Sequence, residues 1–73
     1  MREILTNKEL EVYKYLLQGL SYLDIANAMD IEKSTAVTHI TNVYLKKLVG
    51  TRAELMAQRI KELEKEVARL QRT

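Results

Sequence analysis

The chain has no cysteine, no proline, no tryptophan and no phenylalanine, and only one histidine and two glycines in 73 residues. Without cysteine there is neither a disulfide scaffold nor a thiolate metal site, and one histidine cannot form a zinc cluster. The missing proline, with glycine only at Gly19 and Gly50, leaves few breakers and predicts long helices joined by short turns. No apolar run approaches the roughly 20 residues that span a bilayer. Arg2-Glu3 leads straight into a helix start rather than a signal-peptide core, so the expectation is a cytoplasmic protein with no membrane partner.

A strong charge of either sign is also lacking. The net charge is +2, but it is unevenly spread. Residues 1–30 carry three basic and five acidic side chains, residues 31–52 four and one, and residues 53–73 five and four. The positive excess thus sits in the middle of the chain, a modest footprint for a polyanion that ordinary surface scatter would also produce. A chain of this size forms one domain, marginal alone and often helped by oligomerisation.

What is present is a succession of helix starts and stops. Thr6 and Glu9 have capping-box spacing, with Leu5 and Leu10 placed for a hydrophobic staple. A first helix is predicted from about Asn7 to Gln18, with Leu10, Tyr13 and Leu17 on its apolar face, Val12 and Leu16 beside them, and Gly19 as its left-handed stop. Ser21 and Asp24 open a second helix in which Leu23, Ile25, Ala26 and Met29 can bury. Met29-Asp30-Ile31 is a tight connection with Ile31 as its apolar plug. A third helix follows over about residues 32–48, closed by Gly50, and Thr51 with Glu54 caps a fourth that meets no breaker. A short helix, a tight turn and a longer helix is the helix-turn-helix order.

The third helix is unusual in its polar side. Ala36, Ile40 and Val43 make a narrow apolar stripe, while Ser34, Thr38, Thr41 and Asn42 face outward. A solvated face usually carries Glu and Lys. Short hydroxyl and amide side chains are mediocre helix formers, but they suit contact with phosphates and base edges.

The fourth helix, roughly 20 residues and about 30 Å long, exceeds what three short helices can cover. Met56, Ile60, Leu63, Val67 and Leu70 alternate by four and three, the seam spacing of a coiled coil. With Ile60 and Val67 at a and Leu63 and Leu70 at d, the pattern favours a parallel two-stranded coil, and Arg59 can meet Glu64 of a second copy. The competing reading is an amphipathic helix folded back on its own domain, against which Leu55, off the seam, already offers a face to the core.

Leu5-Thr6 with Glu9, Glu11-Val12, Gly19-Leu20-Ser21, Ile25-Ala26, Ser34-Thr35, His39, Asn42-Val43-Tyr44, Lys46, Val49 and Arg52-Ala53-Glu54-Leu55 occur in order and without gaps. In these the chain resembles the LuxR/GerE-type helix-turn-helix from Leu5 to about Ala57. The resemblance implies an all-α, four-helix domain over residues 1–57 whose third helix enters the major groove. Residues 58–73 would extend the fourth helix as a coiled-coil dimer contact through Met56, Ile60, Leu63, Val67 and Leu70. It further implies a DNA-binding face of Lys33, Ser34, Thr35, Val37, Thr38, His39, Thr41, Asn42 and Lys46. Within it, Thr35 and Asn42 would touch phosphates, Lys46 would anchor the far end, and Val37, Thr38 and Thr41 would meet bases. For Thr35 the competing role is local capping of the third helix, and for His39 a packed position.

The departures from the family pattern are specific. Ala36-Val37 stands where Val-Lys is usual, Lys46-Lys47-Leu48-Val49 where Lys-Leu-Gly-Val is usual, Glu32 in place of a capping serine, and Leu23 in place of a lysine on the second helix. Either Lys47 turns its stem to the core or the helix rotates and Leu48 fills the space. No arginine lies in the third helix, and Val37 with the methyls of Thr38 and Thr41 suits thymine, so the expected site is an A·T-leaning inverted repeat. The expected function is a small, stand-alone dimeric transcription regulator of a bacterium or phage. It would bind double-stranded DNA, with RNA polymerase or another regulator as further candidate partners and no cofactor or metal. The alternatives are a module resembling the fourth region of a sigma factor, a protein-interaction adaptor working through the coil, and a phage small-terminase or recombinase piece. An enzyme is not expected: the carboxylates fall at capping or i,i+4 positions, and no nucleophile–base–acid or metal spacing occurs.

Overall fold

The computed structural model describes residues 4–71; residues 1–3, with the lead-in Arg2-Glu3, and residues 72–73 lie outside the described region. Four helices follow in order, α1 (Asn7–Leu17), α2 (Tyr22–Met29), α3 (Lys33–Lys47) and α4 (Arg52–Gln71), and no strand occurs among the described residues. The caps explain the starts. Thr6 Oγ1 accepts from the Glu9 amide at 3.2 Å while Glu9 Oε1 accepts from the Thr6 amide at 2.9 Å, closing the expected box. Ser21 Oγ accepts from the Asp24 amide at 3.1 Å. At α4, Thr51 Oγ1 accepts from the Glu54 amide at 3.1 Å, and the Glu54 carboxylate reaches back to the Gly50 amide at 3.4 Å, one residue earlier than a regular box.

The core is built from Val12, Tyr13 and Leu16 of α1, Ile25 and Ala26 of α2, Ala36, Ile40 and Val43 of α3, and Leu55 of α4. Its stripe on α1 differs from the expected one. Leu10 is exposed and Leu17 only half-buried, because the inward face runs through Glu9, Val12, Tyr13 and Leu16. The staple partner Leu5 packs on the core without a buried Leu10 opposite it. Glu9 occupies an inward position although charged, only 5% exposed, because Lys46 Nζ lies 2.7 Å from its Oε1. The same ammonium donates to the Ile4 carbonyl at 3.4 Å, so one lysine of α3 ties down both the start of α1 and the segment before it. This pair, with the Thr6 amide, holds the Glu9 carboxyl below its usual range. On α2, Leu23 is exposed rather than buried, while Ile31 plugs the turn as expected.

The stops differ in kind. Gly19 takes φ +87 after α1, as its lack of a Cβ permits. Gly50 does not supply the stop of α3; Leu48 does, at φ 59, with its side chain 90% exposed. Leu48 therefore does not fill the core position open at the end of α3. Lys47 does so with its stem, its Nζ standing 4.8 Å from the centroid of the Tyr13 ring. Burial of Tyr13, and to a lesser degree the nearby Glu62, pushes its hydroxyl pKa up.

α4 meets α1 through its first turns, with Leu55 fully buried and Gln58 Nε2 donating to the Lys47 carbonyl at 3.0 Å. From Ile60 to Leu70 every residue is exposed. The helix continues past the body, and the longest dimension of the molecule reaches 46 Å.

Replacing Lys46 by Met strands the Glu9 carboxylate inside the fold and is expected to lower stability at neutral pH by about 2 kcal/mol, less than for a fully buried pair because Lys46 keeps some solvent contact. A carboxyl whose folded pKa is depressed stabilises fully above its ordinary range and ceases to do so as pH falls through the depressed value. Acidification should therefore destabilise the parent chain more than Lys46→Met, and urea titrations at neutral and acid pH measure both effects. Leu48→Gly removes the cost of a left-handed leucine, offset partly by the extra freedom of glycine in the unfolded chain, and should raise stability by about 0.5–1 kcal/mol in thermal melts.

Candidate nucleic-acid interface

The interface starts from the turn between α2 and α3. Asp30 adopts the left-handed conformation (φ 55, ψ 48), and the Ile31 amide donates to the Ala26 carbonyl at 3.0 Å, so the chain reverses within residues 30–32. Aspartate tolerates this region better than a bulky residue would. α3 leaves the turn with Glu32 at its N-cap, and no side chain caps this end. Its first amides thus point outward without a side-chain acceptor, the arrangement in which a helix N-terminus receives an anion. The competing capping role for Thr35 is not used here.

Two faces of α3 are sharply divided. Ala36, Ile40 and Val43 are buried, while Lys33, Ser34, Thr35, Thr38 and Thr41 are exposed; Val37, His39, Asn42 and Lys46 are half-buried along the flanks. Thr38 Oγ1 donates to the Ser34 carbonyl at 3.1 Å. That bond uses the hydroxyl proton, so Thr38 offers the outside a methyl group and oxygen lone pairs. Leu45 stands on the same outward line and is 66% exposed. It was not among the residues singled out from the sequence, although the spacing of Ser34, Thr38, Thr41 and Leu45, alternating by four and three, carries the signal.

Electrostatics set this face apart from a simple basic surface. Of the three lysines of α3, Lys33 is exposed, Lys46 is engaged with Glu9 and Ile4, and Lys47 lies over Tyr13. Arg52, at the start of α4, sits 5.9 Å from the centroid of the Tyr22 ring. It also faces Tyr44, whose hydroxyl pKa is raised by burial first and by Tyr22 next, with Arg52 opposing. The positive charge that the sequence concentrates in this region is thus largely held against the protein's own carboxylate and aromatic rings. Among the described residues no group of acidic, histidine or cysteine side chains is arranged to hold a metal, and no helix is long and apolar enough to cross a membrane.

Residues 3–57 match the family model of the bacterial regulatory proteins of the LuxR family. The chain belongs to that family. It is also 40% identical over 55 residues to the monoamine regulon transcriptional regulator of Klebsiella aerogenes, an alignment covering 75% of this chain and 24% of that relative. The chain therefore spans only a fraction of the length of the curated relative it matches. The family match covers the three side-chain caps, the turn and the whole of α3, and it ends near Ala57, where α4 leaves the body. The LuxR-type core thus coincides with the packed part of the molecule.

Proposed function

We propose that this LuxR-type module binds double-stranded DNA with α3 in the major groove and regulates transcription as a symmetric dimer. The observation that carries the reading is the division of α3: a buried stripe of Ala36, Ile40 and Val43 opposite an exposed, uncharged line of Ser34, Thr38 and Thr41, beneath a helix N-terminus with no side-chain cap. Thr35 and the α3 amides serve phosphates, Asn42 reaches the backbone from the flank, and Thr38, Thr41 and Val37 meet base edges, with a lean toward A·T. Lys46 supports this face chiefly by holding α3 against α1 through Glu9, so its contribution to affinity is one of position as well as charge. The transcriptional regulator from Klebsiella that the chain resembles supports the regulatory reading.

In the same reading, residues 1–57 form the recognition unit and residues 58–73 the joining element. Ile60, Leu63 and Val67 lie exposed on one line of α4, and Met56 begins that line half-buried at the body. Leu70 extends it. Two copies joined in parallel place both bodies at the same end of the coil, so two α3 helices can address half-sites about one turn of DNA, or a multiple, apart. Arg59, which lies 3.6 Å from Glu62 of its own chain, is at the position that meets Glu64 of the second copy.

Binding to random duplex pools tests the first part: an A·T-leaning inverted repeat should be enriched, and Thr35→Ala with Asn42→Ala should weaken binding at least tenfold. With few exposed cations on the face, the plot of log K against log salt should have a slope of about −4 or shallower for the dimer. Retained affinity in the double variant would favour an adaptor working through the coil. For the second part, Leu63→Lys should yield a monomer at micromolar concentration in sedimentation with unchanged helix content, since Leu63 is exposed in the single chain. A parent chain that is itself monomeric would favour the sigma-like reading.

A further inference from the structure

Leu45 is the residue of α3 that points most directly away from the core. It lies nine residues, about two and a half turns, beyond Ala36, which is fully buried. It continues the exposed line of Ser34, Thr38 and Thr41 by one more step of four, and it is 66% exposed. A leucine there gives the folded single chain little, because no part of the core reaches it. It stands on a different helix from the joining line of α4. Its neighbours along the line are uncharged, and Thr38 has its hydroxyl proton committed to the Ser34 carbonyl. The outward line therefore offers methyl groups and acceptors more than donors.

We infer that Leu45 is a specificity-determining residue, packing its isobutyl group on the C5-methyl of a thymine at the edge of the half-site reached by the C-terminal half of α3. The inference rests on the reading that α3 lies in the major groove. A thymine methyl is the one apolar group that the major-groove edge of a base pair presents, and it is the natural complement of an aliphatic side chain there. A protein partner fits less well. Protein contacts draw their energy from clustered aromatic and arginine anchors, and a single leucine among hydroxyls is not such a cluster. Leu48, one turn further, is not part of the line, because its backbone has left helical geometry.

The test uses the duplex that the full chain selects from a random pool, with single thymines replaced by deoxyuridine so that only the methyl is lost. The parent chain should lose about threefold in affinity for one such replacement at the thymine facing Leu45, and about tenfold when both half-sites carry it. Leu45→Ala should bind the unmodified duplex about that much more weakly and be indifferent to deoxyuridine at that position. It should stay sensitive at the positions that respond to Thr38→Ala or Thr41→Ala. Since Leu45 is exposed, its helix content and melting temperature should match the parent. The same deoxyuridine profile in parent and Leu45→Ala overturns the inference while leaving the groove reading intact. If Thr38→Ala and Thr41→Ala also leave the selected sequence unchanged, the groove reading itself has failed and the inference falls with it. Loss of binding to a polypeptide partner on Leu45→Ala, with DNA binding untouched, likewise overturns it.

Discussion

A carboxylate turned inward at the start of the first helix governs the geometry of the whole molecule. Glu9 closes the cap of α1 with one set of contacts and receives the ammonium of Lys46 with another. Because Lys46 is near the end of α3, the pair joins the first element of the chain to the helix that faces outward, and the core between them is filled by Val12, Leu16, Ile40 and Val43. Interior ion pairs contribute little net stability compared with apolar packing, since desolvation cancels most of the attraction. What this one fixes is position. An α3 free to rotate would present a different set of side chains, and the carboxylate could then find no counter-charge.

The ion pair also marks where the sequence was hard to read. Helix starts at Thr6, Ser21 and Thr51, the stop at Gly19, the apolar stripe of α3 and the plug at Ile31 all follow local rules, and they appear in the structure as the rules predict. The inward face of α1 differs from its apolar spacing because a glutamate is not counted in an apolar stripe. Only a lysine 37 positions away makes Glu9 an inward residue, and no local pattern announces a partner at that distance. The same holds at the end of α3. Local spacing left open whether Lys47 or Leu48 would face inward, and the ring of Tyr13, which accepts a cation above it, decides for the lysine. Leucine then takes the left-handed position that glycine usually fills, a choice that no propensity rule favours. Hydrophobicity alone predicts Leu23 inside, but it lies about a third of a turn round α2 from the face shared by Ile25, Ala26 and Met29 and is exposed.

For the outward face, the residue types were legible and their availability was not. Ser34, Thr35, Thr38 and Thr41 are exposed as their spacing implies. Whether a basic side chain of α3 is accessible depends on tertiary partners, and Lys46 shows how a residue that sequence places on a surface can be half-enclosed by the fold. Leu45 illustrates the converse: a leucine that the apolar stripe of α3 leaves out stands outward by geometry.

The internal engagement of Lys46, Lys47 and Arg52 bears on how such a module would move through a cell's DNA. Attachment to arbitrary sequence is supplied almost wholly by cations on phosphates, and the same attraction lets a protein slide along the duplex. A face whose cations are largely occupied at home forms shallow encounters, leaves them quickly and covers a genome by many short visits instead of long one-dimensional excursions. In the proposed dimer, residence at a target would then depend on shape, on base contacts and on the joining of two copies, and weak steering by charge leaves selection to how slowly the complex ends.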